Sequence, residues 1–444
     1  MLQTSPTPAQ LQVRDLGPRR FPSPLGLGVP GAVPSGRYTP DDARVVADAE
    51  VAGEGATAGA ASFEKAGPRE RIFFDPAATR VALVTCGGLC PGLNDVIRSA
   101  VLQLHHRYGV REVLGFRYGF AGLDPASGHA PVRLGPDEVR HLHERGGTAL
   151  GSSRGPVDVR VMADTLERLD IQALLTIGGD GTQRGAHALV EELTRRGRHT
   201  VVVGVPKTID NDLLWTDRTF GFDTAVEVAR SAIVAAHAEA TSAENGVGLV
   251  KLMGRDSGFI AAAAARASLE TNFCLVPEVP IDLEGEGGLL DALEARLGAR
   301  GHALVVVAEG CSWMFADAMG ARDASGNVRY ASGALDVGAR LRDAITAHFK
   351  ARGAPLTLKY IDPSYMIRGV PANPSDRLFC DALARAAVHA AMAGKTDLVV
   401  GRWCGMFTHV PIPVATDGRK QIDPEGTLWL SVVEATGQPA LRRR

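Results

Sequence analysis

The chain has few cysteines, almost no net charge and no long apolar run, and each shortage removes a class of protein. Six cysteines, Cys86, Cys90, Cys274, Cys311, Cys380 and Cys404, are scattered over 444 residues. No pair has the C-x-x-C spacing of a zinc site, and no second Cys/His pair stands beside Cys86 and Cys90, which flank a glycine turn. Such usage fits a reducing, cytoplasmic setting. The formal net charge is −2, which gives no electrostatic case for nucleic acid or an anionic membrane, so any phosphate binding must come from local clusters. The run Arg442-Arg443-Arg444 reads as a solvated tail. No apolar stretch reaches the roughly 18 residues needed to span a bilayer, and the alanine-rich residues 260–267 are too short. The N-terminus lacks the basic-then-apolar order of a secretory signal, and no internal repeat is visible.

What is present suggests a soluble globular protein, with 45% hydrophobic and 22% charged residues. The length predicts two domains plus an N-terminal extension. Residues 1–70 are rich in Pro, Gly, Ser and Ala with weak apolar periodicity, and are expected to be partly disordered or draped over the surface. From Arg80 a different pattern begins. The apolar segment 80–85 stops at Gly87-Gly88, and residues 95–108 follow with helical spacing. The order returns at 173–177, which stops at Gly178-Gly179-Asp180-Gly181 before a helical stretch at 183–196 with arginines in its last turn. The β-branched run 201–205 ends in Pro206-Lys207-Thr208-Ile209-Asp210-Asn211-Asp212, and 224–240 reads as another helix. Further strands are expected at 248–252, 273–276, 303–308 and 397–401. Strands alternating with helices predict an α/β fold with parallel sheets, and ligands in such sheets bind beyond the carboxyl ends of the strands.

The turns at those ends hold the candidate chemistry. In Gly178-Gly179-Asp180-Gly181-Thr182, glycines allow positive φ and close approach of a ligand, and amides opening the next helix can point at a phosphate. Asp180 is then placed to hold magnesium beside the phosphate oxygens. The alternative is a tight strand-to-helix turn in which Asp180 caps the helix. In the second turn, a carboxylate within reach of a sugar hydroxyl can accept its proton as the bond to phosphorus forms, and Asp210 is the candidate base. The alternative is an Asx-type turn with exposed acids. Weaker pieces are Gly87-Gly88, Gly151-Ser152-Ser153-Arg154-Gly155, Met253-Gly254-Arg255, Glu309-Gly310 and Tyr365-Met366-Ile367-Arg368. An arginine among glycines or serines can reach phosphoryl oxygens, and Glu309 can accept hydrogen bonds from sugar hydroxyls or stand as a surface acid.

Together these pieces resemble the 6-phosphofructokinase family over residues 64–412. The motifs are TCGGLCPGLNDVIR, GGTALGSSRG, IGGDGT, PKTIDND, LMGRDSGF, PEVP, AEG and YIDPSYMIR, in the family's order. The detail, including the segment FEKAGPRERIFFDP, is most similar to the branch with plant and trypanosomatid ATP-dependent enzymes. The resemblance implies two Rossmann-like three-layer α/β domains with mostly parallel sheets and an active site in the cleft. It divides the chain into a nucleotide-binding domain at 71–222, completed by part of 367–415, a sugar-phosphate domain at 223–366 and a C-terminal tail at 416–444. ATP phosphates would meet Gly88, Arg154, Gly155, Gly179, Asp180, Gly181 and Thr182, with Mg2+ on Asp180. Asp210 would take the proton from the 1-hydroxyl of fructose 6-phosphate, aided by Arg255. Thr208, Ile209, Met253, Gly254, Arg255 and Glu309 would line the sugar, and Tyr365, Met366, Ile367 and Arg368 would hold its 6-phosphate with Lys359 nearby. The product would be fructose 1,6-bisphosphate, made by a homo-oligomer, usually a tetramer.

Two positions bear on the donor. Pyrophosphate-using relatives typically have Asp where this chain has Gly181, and a carboxylate there would repel the α-phosphate of ATP. Lys207 points the other way, being common in pyrophosphate enzymes, but the plant-like ATP branch carries this Gly and Lys together, so ATP is expected. Gly246 departs from bacterial ATP-users, which place there an arginine that reaches a neighbouring subunit, so their effectors do not transfer. The competing readings are a pyrophosphate-dependent enzyme, another kinase with the Gly-Gly-Asp-Gly turn, in which Arg368→Ala would leave activity intact, and a non-catalytic regulatory subunit, which would need neither Asp180 nor Asp210.

Overall fold

The computed structural model describes residues 6–28, 36–48, 60–315 and 336–442. Parts of the expected N-terminal extension, and Arg443 and Arg444 of the arginine run, lie outside the described residues. The chain divides into two units, one of Met1–Thr208, Leu213–Gly221 and Gly369–Arg419, the other of Ile209–Asp212, Phe222–Arg368 and Lys420–Arg444.

The first unit is built on a nine-stranded sheet. Its order is Arg44–Val46, Ser62–Lys65, Met406–Pro411, Leu398–Trp403, Val201–Pro206, Ala173–Gly178, Arg80–Thr85, Glu112–Phe116 and Val132–Arg133. The five strands from Leu398–Trp403 to Glu112–Phe116 are parallel, and the outer ones are antiparallel. All six residues of Ala173–Gly178 and of Val201–Pro206 are buried, as expected of inner parallel strands covered on both faces. Helix Asp180–Arg195 buries Ala186, Leu189, Val190 and Leu193, the i, i+3, i+4, i+7 stripe that seats a helix on a sheet.

The helical stretch expected at 95–108 is helical throughout but changes type. It runs as an α-helix over Leu93–Leu102 and widens into a π-helix over Gln103–Tyr108. Gln103, Leu104 and Tyr108 are the buried residues of the widened turn, and the Tyr108 hydroxyl meets His389 Nδ1 at 2.7 Å.

The described part of residues 1–70 is woven into this unit instead of lying over it. Leu11 and Phe63 are fully buried. Strand Ser62–Lys65 pairs with Met406–Pro411, setting Glu64 opposite His409. The Glu64 carboxylate meets Arg69 at 2.9 Å and Lys395 and His409 at 3.0 Å. Burial alone would raise the Glu64 carboxyl, but His409 and Lys395 hold it well below the usual range. Breaking such a buried network strands a charge, which is costly, and this ties the early segment to the sheet.

The second unit carries an all-parallel sheet in the order Phe273–Leu275, His302–Ala308, Gly246–Leu252, Thr357–Ile361. Residues 416–444, expected as a tail, are divided at Arg419, and the later part completes this unit. Helix Thr427–Thr436 buries Trp429 and Val432. The Gln438 amide accepts from Cys274 N at 2.6 Å and donates to Cys274 O at 3.2 Å, pairing with an edge strand as a neighbouring backbone would. Gly246 opens its strand in a tight place, where a Cβ would stand 2.0 Å from Ala240 O. No arginine fits there, and the departure from the bacterial pattern is built into the backbone.

Candidate active site

In the first unit the register brings three turns to one end of the sheet. Thr85 lies opposite Ile177, and Pro206 opposite Gly178. Gly87-Gly88, Gly179-Asp180 and Lys207 therefore leave adjacent parallel strands at the same edge. Lys207 ties the turns together. Its backbone N–H donates to Gly178 O at 3.0 Å and its Nζ to Gly88 O at 2.7 Å. Gly87, at φ +84°, holds a backbone conformation that side chains rarely adopt, and a Cβ would stand 3.1 Å from that Nζ. The segment carrying Arg154 and Gly155 is pinned to the same place, because Gly87 N donates to Ser153 O at 3.1 Å and Ser152 Oγ donates to Gly87 O. Arg154 itself is exposed.

Helix Asp180–Arg195 begins at Gly179 with no side-chain cap. Its positive N-terminal end is thus left to receive an anion. Asp180 sits in the first turn, with Arg184 Nε 3.2 Å from its Oδ1. Thr182 is packed under the turn, so close that a Cβ on Gly178 would come within 2.3 Å of its hydroxyl. Gly181 has nothing within 4 Å of its virtual Cβ. Gln183, fully buried, was not expected from the sequence as a site residue. Its Nε2 donates to Gly178 O at 2.9 Å and Thr176 O at 3.3 Å. Gly204 makes room for it, since a Cβ there would lie 2.2 Å from Gln183 Oε1. An amide one turn into the helix following a glycine turn is the signal that was available.

Cys86 lies beside this turn. Burial pushes its thiol up to about 11, so it stays protonated at neutral pH and redox reactivity is not supported. As for a cation, a single carboxylate at a helix start suits magnesium, which takes one or two carboxylates plus substrate phosphates instead of an all-protein cage. Among the described residues one trio, His187, Glu191 and Asp397, has ligand atoms within 4.8 Å of one another. Arg14 ion-pairs with both Glu191 and Asp397, which makes the trio an ion-pair knot.

In the second unit the same logic of register applies. Leu252 lies opposite Ala308, so Met253 and Glu309 occupy matching positions past the strand ends. Gly310 N donates to Gly254 O at 2.9 Å, and a Cβ on Gly310 would be 2.2 Å from Arg255 O. The two loops are in backbone contact, which sets Arg255 and Glu309 side by side in the fold. Gly254, at φ +135°, approaches Ser257 O so closely that a Cβ would be 2.3 Å from it. Ser257 in turn donates through Oγ to Asp210 O at 3.2 Å, bringing the turn Ile209–Asp212 to the Met253-Gly254-Arg255 loop. Gly258 N donates to both oxygens of Glu278, at 2.9 and 3.1 Å. Burial pushes this carboxyl up against the pull of those donors. Glu278 belongs to the PEVP motif, which had no role assigned.

Past strand Thr357–Ile361, the short helix Ser364–Gly369 presents Tyr365 and Met366 at 79% and 67% exposure, with the Arg368 guanidinium 4.7 Å from the Tyr365 ring centroid. Asp362 accepts from Ser364 N at 3.1 Å and pairs with Lys251 Nζ at 2.6 Å. Burial alone would raise Asp362, but Lys251 and Ser364 hold it below the usual carboxylate range.

One expected contact is not brought to the surface of this site. Ile367 is fully buried, so its side chain anchors the helix in the core while its neighbours face out. Lys359 is exposed and pairs opposite Gly248, two positions before Ile361 at the end of its own strand. Thr208 clusters with the first unit, its carbonyl accepting from Thr219 Oγ1 at 2.6 Å, and Ile209 is buried in the second.

The family model for phosphofructokinase matches residues 80–391, well over half of the chain. The chain belongs to the phosphofructokinase family. Among phosphofructokinases in curated collections of sequences, it is 49% identical over 383 residues to the ATP-dependent 6-phosphofructokinase of Borreliella burgdorferi, covering 85% of each chain. It is 47% identical to that of Amycolatopsis methanolica, covering 97% of this chain and 95% of that one. It is 50% identical to that of Trypanosoma brucei brucei, covering 84% and 76%. A plant relative, ATP-dependent 6-phosphofructokinase 7 of Arabidopsis thaliana, is 45% identical over 384 residues. The phosphofructokinase fold is shared with a pyrophosphate-dependent enzyme from Marinobacter aquaeolei, at TM-score 0.65 and 21% identity over 81% of this chain and 91% of that one. At that identity the likeness speaks to fold alone. No helix among the described residues is long and apolar enough to cross a membrane.

Proposed function

We propose that this chain is an ATP-dependent 6-phosphofructokinase, moving the γ-phosphoryl group of ATP to the 1-hydroxyl of fructose 6-phosphate. The observation that carries the reading is that three relatives at 47–50% identity over at least 84% of the chain bear that activity as their name. The local geometry supports it. The first unit offers the nucleotide-binding features: the uncapped helix start, Gly88, Arg154, Gly155 and the open face at Gly181 for the phosphates. Asp180 would hold Mg2+, which when bound supplies charge neutralisation on the phosphate oxygens. The second unit offers the sugar-phosphate features. Glu309, Met253 and Gly254 orient the sugar, with Thr208 and Ile209 shaping its approach, and Tyr365, Met366 and Arg368 take its 6-phosphate. Asp210 accepts the proton of the 1-hydroxyl as its oxygen bonds to phosphorus, while Arg255 stabilises the charge that develops on the phosphoryl oxygens. A cytoplasmic homo-oligomer, a tetramer by family habit, completes the reading.

A pyrophosphate-dependent reading is kept because of Lys207. Its ammonium, however, already serves the Gly88 carbonyl, a task independent of the donor. The test is a coupled assay of the purified chain with fructose 6-phosphate, comparing ATP and pyrophosphate with and without Mg2+. Mg2+-dependent turnover with ATP is expected; faster turnover with pyrophosphate would overturn ATP as donor.

A further inference from the structure

The family model ends at residue 391, yet a segment well beyond it grips the turn that carries Asp210. Lys420 donates through its backbone N–H to Asp212 O at 2.8 Å and through Nζ to Asn211 Oδ1 at 3.2 Å. The same Nζ lies 5.2 Å from the Phe259 ring centroid. Gln421 Nε2 donates to Asp256 O at 3.3 Å, and Ile422 N to Glu278 Oε1 at 3.0 Å. Three successive residues thus fasten the turn 209–212, the loop after Arg255 and the PEVP segment to one another, all within the second unit.

Asn211 sets the shape of the turn. It is buried at φ 55°, a left-handed conformation that asparagine accepts more readily than other non-glycine residues. The Asn211 side-chain oxygen is the atom that Lys420 Nζ holds. The Asp210 carbonyl, next to it, is held by Ser257. The chain that leaves Asp210 is therefore held at three successive residues, 210, 211 and 212.

We propose that Lys420 is a positioning residue: by anchoring Asn211 and Asp212 it fixes the direction in which Asp210 presents its carboxylate to the acceptor hydroxyl. This rests on Asp210 being the base. Proton transfer demands a reach of about 2.6–3.2 Å, so a turn free to swing by an ångström loses turnover while nucleotide binding is untouched.

The experiment uses the full-length chain. Lys420→Met keeps the stem and the backbone bond but removes the ammonium. It is expected to lower kcat about 10- to 100-fold, with KM for ATP within about twofold of the parent. Lys420→Arg restores most of the loss, and hydrogen exchange in Lys420→Met rises over residues 209–213. Three results would overturn the proposal: unchanged kcat in Lys420→Met, no recovery in Lys420→Arg, or exchange rising evenly across the second unit, the mark of a general support. Asp210→Asn is assayed alongside. If it keeps turnover, the base reading fails; if it loses turnover while Lys420→Met does not, only the Lys420 proposal fails.

Discussion

The glycine turn at 178–182 and the acidic turn at 209–212 both follow strands buried along their whole length, but they are held by opposite means. The first is held mainly from within, with one bond from Lys207 N to Gly178 O. Gln183, seven residues from Thr176 and five from Gly178, closes it through backbone carbonyls, and Thr182 packs directly beneath. The second is held from afar, by Ser257 at a separation of 47 residues and Lys420 at 209. The difference follows from the chemistry assigned to each. A phosphate accepts from backbone amides, which a short glycine-rich segment orients unaided. A general base must aim one side chain at one proton, and that aim comes from tertiary contacts.

The sharpest way to break this comparison is at the base. Asp210→Asn is expected to cut kcat by about 10²–10⁴-fold with little change in the KM for fructose 6-phosphate. A variant as fast as the parent in the coupled assay would remove Asp210 from the mechanism and leave the two turns without contrasting roles. A smaller effect probes the other turn. Gly181→Asp meets open space, so its melting temperature should match the parent. The added carboxylate should still lower kcat/KM for ATP by about tenfold or more through repulsion of the phosphates. Preserved ATP kinetics would show that the open face is not where the nucleotide lies.

The last expected effect is on stability, not turnover, and concerns the scaffold of the first unit. Burial, with Arg385 nearby, pushes His389 down to about 3. The unfolded chain then binds a proton that the native state refuses, so stability present above about pH 6.5 is lost as pH falls toward 3. His389→Gln should flatten the pH dependence of thermal unfolding between pH 6.5 and 5, by about 2 kcal/mol. Parallel curves for variant and parent would show that His389 is solvated in practice.

Much of the layout was legible because buried parallel strands are nearly continuous apolar runs, and those at 80–85, 173–178, 201–206, 246–252 and 302–308 end in glycine or acidic punctuation. Both candidate turns were legible for the same reason. The residues that set their geometry were not. Gln183 looks like an ordinary helix residue until Gly204 is seen to make space for it across the sheet. Glu64, Arg69, Lys395 and His409 lie hundreds of positions apart in part, and only strand pairing shows that one carboxylate gathers three cations or donors. The C-terminal segment misled because it lacks a motif, and its work is done by backbone amides and by single side chains such as Gln438.

The second unit is assembled from chain stretches that end at residues 212, 368 and 444, and this orders events on the ribosome. Translation delivers Asp210, Arg255, Glu309 and Arg368 long before Lys420 emerges. A nascent chain of some 400 residues therefore holds every group assigned to the reaction and still lacks the helix and the amide clasp that finish their half of the protein. As domains complete in the order their residues appear, this unit must wait, partly formed, for the residues from Lys420 onward before its base can be set in place.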